Sequence, residues 1–274
     1  MQKIFRLLQY ANMLSLDIAA GAVISCAFFA TIFKVSLLPY GYIALGLAVW
    51  IIYTADHLLD VWKNPQPAST HRHRFHQQHF ITLSILLAVA LIVVGIEVNF
   101  IRHNVLIGGI QLSILVAIYF IVQRQLKFLK ELVAALLYTV GVLVAPIALL
   151  SSPPNSMQIT LVVQFFLTVL TNLLLFSLFD LKNDSKDRHP SFAISLGEAT
   201  TTILLFAMFI VNAGITLIQY YSLHGETAPA VVILFMNIML VWILLNRKYF
   251  GISDRYRIMG DAVFLLPALY VLAA

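Results

Sequence analysis

Nine long stretches of this chain carry almost no charge, at residues 13–33, 37–62, 80–98, 104–122, 132–150, 159–179, 193–221, 228–245 and 258–273. A helix needs about 20 residues to cross the hydrocarbon core of a bilayer, so the nine qualify as membrane spans. Sixty-one per cent of the residues are hydrophobic and 11% are charged, against about 25% charged in a soluble domain. The mean hydropathy is +0.93. None of the stretches sustains an alternation of period two, and a barrel would need an even set of shorter segments. The expected fold class is all-α, a polytopic membrane bundle of nine transmembrane helices. Residues 1–274 read as one domain, with no low-complexity segment or long linker.

Charge orients the bundle. The formal charge is +5, and every Lys and Arg except Lys34 and Arg102 falls on one side if the amino terminus is cytoplasmic. Short cytoplasmic loops are enriched in these residues. The other side is plain, with Ser151-Ser152-Pro153-Pro154-Asn155 uncharged. The expected location is the cytoplasmic (inner) membrane, with the amino terminus and the chemistry facing the cytoplasm. The first stretch is longer than a signal-peptide core, and Lys34 follows it directly, so it is expected to stay as a helix. Cys26, the single cysteine, lies inside that helix and offers no disulfide or zinc thiolate site.

Two aspartate pairs carry the chemistry. Asp56 and Asp60 end the second stretch, and Asp180 and Asp184 end the sixth. Residues four apart share one helix face, where like charges repel. A carboxylate at the end of an apolar helix also loses solvation, and charge inside a membrane marks function by default. A hard divalent cation would offset both costs, since magnesium is held by one or two carboxylates plus substrate phosphates. Basic residues follow the pairs: Arg72 and Arg74 after the first, Arg124, Lys127 and Lys130 in the next loop on that side, Lys186 and Arg188 after the second. They would meet a bound diphosphate, or else anionic headgroups.

These residues resemble the UbiA-type intramembrane prenyltransferases, whose first motif is N-D-x-x-D-x-x-x-D. The stretch from Asp56 to Asn64 matches without gaps: Asp56 stands for Asn, His57 for the first Asp, Asp60 for the second and Asn64 for the last. Thr70 and His73-Arg74 follow where the family has a threonine and an Arg-Pro. A second alignment sets Asp56 on the second Asp of the motif. The family's second motif, D-x-x-x-D with a basic turn, is similar to Asp180-Leu181-Lys182-Asn183-Asp184-Ser185-Lys186, and Asp187 adds a spare acid. Leu16-Asp17 with Gly21, and Tyr119 with Arg124, resemble two shorter family motifs. Arg188 and Phe192 stand where the family has glycine and threonine.

The resemblance implies magnesium-dependent transfer of a prenyl group from a prenyl diphosphate to an aromatic or lipid-soluble acceptor. Asp56, Asp60, Asp180 and Asp184 would be catalytic metal ligands. Arg72, Arg74, Arg124, Lys130 and Lys186 would hold the diphosphate, with His57, Asn64, Asp187 and Tyr119 as accessories. Prenyl diphosphate, acceptor and bilayer are the expected partners, and no nucleic acid is expected. A UbiA-like terpene cyclase, or a non-catalytic transporter or binding protein, remains as an alternative. The cluster His71, His73, His76 and His79 is too local for a di-iron cage and reads as a basic loop over the site. Asp261 is expected to pair with Arg257 across one helical turn.

Overall fold

The computed structural model of the protein describes residues 2–63, 71–123, 125–187, 190–222 and 227–274, and every regular element among them is helical. In chain order these are α1 (Gln2–Met13), α2 (Leu16–Ile32), α3 (Pro39–Lys63), α4 (His71–Gln78), α5 (Phe80–Glu97), α6 (His103–Val122), α7 (Lys130–Ala148), α8 (Ser156–Phe179), α9 (Leu181–Asp187), α10 (Phe192–Leu196), α11 (Glu198–Ser222), α12 (Ala228–Leu245), α13 (Arg247–Phe250), α14 (Arg255–Ala262) and α15 (Ala268–Ala273). Eight helical runs are long and apolar enough to cross a membrane, the last of them Ile252–Ala273. The bent pair α1–α2 supplies a ninth. The protein is an integral membrane protein.

The expected first span differs at its start. The chain is already helical from Gln2, and α1 meets α2 at 78°. Ser15 makes the corner in the left-handed region, at φ 57°. α1 intersperses Arg6 and Gln9 with exposed Leu7, Leu8 and Tyr10. Such a mixed helix suits the membrane interface rather than the hydrocarbon, so the crossing begins only at Leu16.

Helix α8 forms the axis of the bundle and packs on α7, α11, α12 and α14, while α2 packs on α3, α7 and the final helical run. Between them lies a chain of edge-to-face rings, with Phe29 5.2 Å from Phe165 and Phe165 5.9 Å from Phe264. Side-chain amides tie α8 to its neighbours: Gln164 Nε2 donates to Thr216 Oγ1 at 2.9 Å, and Asn237 Nδ2 to Thr168 Oγ1 at 2.7 Å. Such bonds hold helices together where lipid gives no hydrophobic drive. Helices α5 and α6 instead turn Ile85, Ile92, Ile114 and Ile121 outward, as lipid-facing helices do.

The last run approaches its neighbours at glycine. A Cβ on Gly260 would lie 2.6 Å from both Asn172 Oδ1 and a Phe176 ring carbon of α8. By contrast, nothing stands within 4 Å of a Cβ on Gly109. Overpacking of a tight contact costs about 1–3 kcal/mol. Gly260→Ala is therefore expected to lower the melting temperature of the purified protein, with Gly109→Ala close to wild type. Equal melting temperatures for wild type and Gly260→Ala would show that α14 has room to shift away from α8.

Candidate active site

The carboxylates that the membrane tolerates least lie at one end of the bundle. Asp56 and Asp60 sit in the last two turns of α3, Asp180 caps the carboxyl end of α8, and Asp184 lies one turn on in α9. All four line one cavity of about 400 Å3. The inner wall is apolar, with Leu45, Val49, Leu112, Val116 and Val169 among its residues, and Tyr53, Tyr119, Tyr138 and Phe176 add aromatic surface. The mouth is charged: Arg72 from α4, Lys130 from α7 and Arg257 from α14 meet the four aspartates there.

Asp56 Oδ1 accepts a hydrogen bond from Gln123 Nε2 at 3.1 Å. Asp180 is more firmly held. Tyr256 Oη donates to its Oδ1 at 2.6 Å, Arg257 Nη2 pairs with its Oδ2, and Arg257 Nε donates to Tyr256 Oη at 3.1 Å. Burial, and then the neighbouring Asp180 carboxylate, push Asp184 up to about 6. The sign follows: Asp184 favours folding fully only below its ordinary value of 3.8, and that contribution is lost as pH rises through about 6. A second cost of the same kind falls on the cations. Arg72 is pushed below the usual arginine value by burial and then by the Arg257 guanidinium. Its Nη2 donates to Ser15 Oγ at 2.7 Å, while its Nε is buried with no hydrogen-bond partner among the described residues. A carboxylate raised by burial and a neighbouring acid thus shares the cavity with guanidiniums that repel each other, which suits a bound anion accompanied by metal.

The remaining expected residues divide. Tyr119 and Lys130 line the cavity, as does His57. The His57 Nε2 is buried with no hydrogen-bond partner among the described residues, and its ring lies 4.5 Å from that of His76. Burial pushes His76 down to about 4, so its ring is neutral at neutral pH and packs rather than repels. Arg74 and Lys186 are exposed and do not line the cavity. Asn64, Thr70, Arg124 and Arg188 lie outside the described residues, as do the side chains of His71 and Asp187. The expected Asp261–Arg257 pair is replaced by longer-range partners. Arg257 takes Asp180, and Asp261 accepts from Asn12 Nδ2 at 2.9 Å. The same Asn12 nitrogen also donates to Asp17 Oδ2 at 2.6 Å.

Two site residues were missed by the sequence argument. Arg257 stands in the sequence as a local ion-pair partner of Asp261, although a basic run opening a span on the aspartate side is itself a signal. Glu131, beside Lys130, is 8% exposed and lines the cavity. Its Oε1 accepts from the backbone N–H of Phe192 at 2.9 Å, and its Oε2 has no hydrogen-bond partner among the described residues. With Ser177 Oγ, which accepts from Ala193 N at 2.9 Å, it fixes α10 beside the mouth.

No protein-family model matches the sequence, and no curated protein matches it significantly. Solved structures do match. An apo UbiA homologue from Aeropyrum pernix K1 aligns at TM-score 0.64 and 12% identity, covering 96% of this chain and 98% of that one. A UbiA homologue from Archaeoglobus fulgidus bound to GPP and Mg2+ aligns at TM-score 0.64 and 12% identity, over 97% of this chain and 99% of that one. The fold is the UbiA fold. A structure concerning digeranylgeranylglyceryl phosphate synthase in membranes aligns less tightly, at TM-score 0.53 and 14% identity, over the whole of both chains. At such identities the likeness to UbiA homologues is one of fold.

The Asp180–Arg257 pair makes the site part of the scaffold. Its side chains are 9% and 21% exposed, and removing one partner of a buried pair costs about 3–5 kcal/mol, because the other charge is left uncompensated. Asp180→Ala is expected to destabilise the protein by about 3 kcal/mol, and the double variant Asp180→Ala/Arg257→Met to recover most of that loss. Additive losses in this double-mutant cycle would mean that the pair is not coupled.

Proposed function

We propose that the protein transfers a prenyl group from a prenyl diphosphate to a lipid-soluble acceptor, with the diphosphate at the charged mouth and the tail along the apolar wall. One observation carries the reading: the four aspartates, from α3, the end of α8 and α9, share with three cations a single cavity that also has a broad apolar wall. A similar fold that binds GPP with Mg2+ supports it. The mouth belongs at the cytoplasmic side, where the basic residues gather.

The donor set fits magnesium. Asp56, Asp60, Asp180 and Asp184 offer the hard oxygens that this ion prefers, and the raised pKa of Asp184 marks a carboxylate that gains from a nearby cation. When bound, magnesium would neutralise charge on the departing diphosphate. Arg72, Lys130 and Arg257 would hold the remaining phosphate oxygens, and Arg257 would do so while anchored by Asp180. The bond from the allylic carbon to the diphosphate oxygen breaks, and the diphosphate leaves with the electron pair. A bond from that carbon to the acceptor forms, and the acceptor gives up a proton. The apolar wall keeps water from the carbon, and the faces of Tyr53, Tyr138 and Phe176 offer electron density to its developing charge.

The test is the melting temperature of the purified protein with geranylgeranyl diphosphate, with and without Mg2+. A ligand bound only to the folded state stabilises it by about 2.7 kcal/mol at a hundredfold its dissociation constant. A magnesium-dependent rise is expected in wild type and its loss in Asp60→Ala and Asp184→Ala. The rise should fade as pH falls through about 6, where Asp184 takes up a proton. A rise that both variants retain would remove the aspartates from the reading.

A further inference from the structure

The end of the bundle opposite the aspartates holds a second cavity of about 400 Å3. Its walls come from the turn after α2, the residue before α6 and the loop between α7 and α8. Lys34 and Arg102 both line it. These are the two basic residues that depart from the one-sided distribution of positive charge along the chain. Two exceptions from separate loops have no electrostatic reason to meet, since like charges repel. Neither finds an acid: the ion pairs among the described residues are Arg247–Glu198 and Arg257–Asp180. No carboxylate lines the cavity, whose other polar side chains are Ser36, Ser151, Ser152, Asn155 and Gln158.

The backbone holds this arrangement in place. The turn after α2 closes with Val35 N on Ala30 O at 3.0 Å and Lys34 N on Thr31 O at 3.1 Å. That motif puts its pivotal residue in the left-handed region, where glycine is the usual choice. Here the pivot is Lys34, at φ 54°. On the other wall, Asn155 and Gln158 cap α8 reciprocally, each bond 2.9 Å. Gln158 Nε2 also donates to Ile32 O at 3.4 Å, which ties the loop to the end of α2. Lys34 thus stands in a glycine position on the wall of a cavity that it shares with Arg102.

We infer that this cavity binds an anionic phosphate group, between Lys34 and Arg102. The phosphate belongs either to the headgroup of an anionic lipid in the leaflet at that end or to a free phosphate ion. The site lies at the opposite end of the bundle from the proposed chemistry and is independent of it.

Native mass spectrometry of the detergent-purified protein can count bound lipid. Wild type, Lys34→Gln/Arg102→Gln and the charge-conserving Lys34→Arg are compared with phosphatidylglycerol and with phosphatidylcholine. A parallel titration uses inorganic phosphate alone. Both residues are exposed, and an unchanged melting temperature checks that the variants fold. A preference for phosphatidylglycerol in wild type and Lys34→Arg, weakened about fivefold for each cation removed, identifies the headgroup. Saturable binding of inorganic phosphate that the double variant loses, without a lipid preference, identifies the free ion. If wild type and the double variant are indistinguishable in both arms, the inference is overturned.

Discussion

Charge placed in hydrocarbon must be answered by charge or by a hydrogen bond, and this chain answers nearly all of its intramembrane acids at one end of the bundle. Asp180 is met by Arg257 and Tyr256 and Asp56 by Gln123, while Asp17 and Asp261 share the amide of Asn12, with Ile18 N donating to Asp17 and Asn172 Nδ2 to Asp261. These bonds join α1, α2 and α14 to one another, the end of α8 to α14, and α3 to the residue after α6. The helix order therefore follows from the need to compensate charge as much as from the packing of apolar faces. Burial and a like-charged neighbour leave Asp184 and Arg72 the less well compensated groups of that end.

The apolar interior serves that charged end. Tight contacts at Gly260 bring α14 against α8, which carries Arg257 to Asp180. The same α8 that supplies Asp180 supplies Phe176 to the cavity wall and Phe165 to the ring stack of the core. Asp180 is thus set at the end of the most buried of the candidate spans, where its geometry is least free to relax. The helices that face outward, α5 and α6, are those with few buried residues.

Much of this was legible in the sequence because it is written locally. The spans follow from apolar runs of sufficient length, and Asp56, Asp60, Asp180 and Asp184 stand out because spacing of four within a membrane helix is costly. What could not be read is written in contacts between distant positions. Asp261 finds Asn12, 249 residues away, instead of Arg257 one turn back. Arg257 finds Asp180, 77 residues away. The rule of neighbours on one helix face gave no hint of either. Arg74 and Lys186 follow the aspartates in sequence, yet they stay exposed away from the cavity, since position after a motif does not fix direction. The bend at Ser15 also escaped notice, because the amphipathic α1 runs into the apolar α2 with no proline or glycine to mark the corner.

The central claim is that two facing aspartate pairs and the cations between them form one binding site for metal and diphosphate. Its most direct test is a structure of the protein soaked with Mn2+ and a non-reactive prenyl diphosphate analogue, with anomalous scattering used to locate the metal. The account predicts metal peaks within ligand distance of Asp56 or Asp60 on one side and Asp180 or Asp184 on the other, with the diphosphate between them and the tail along Val49 and Val116. Metal found elsewhere, or a diphosphate bound with no metal at these aspartates, would contradict it.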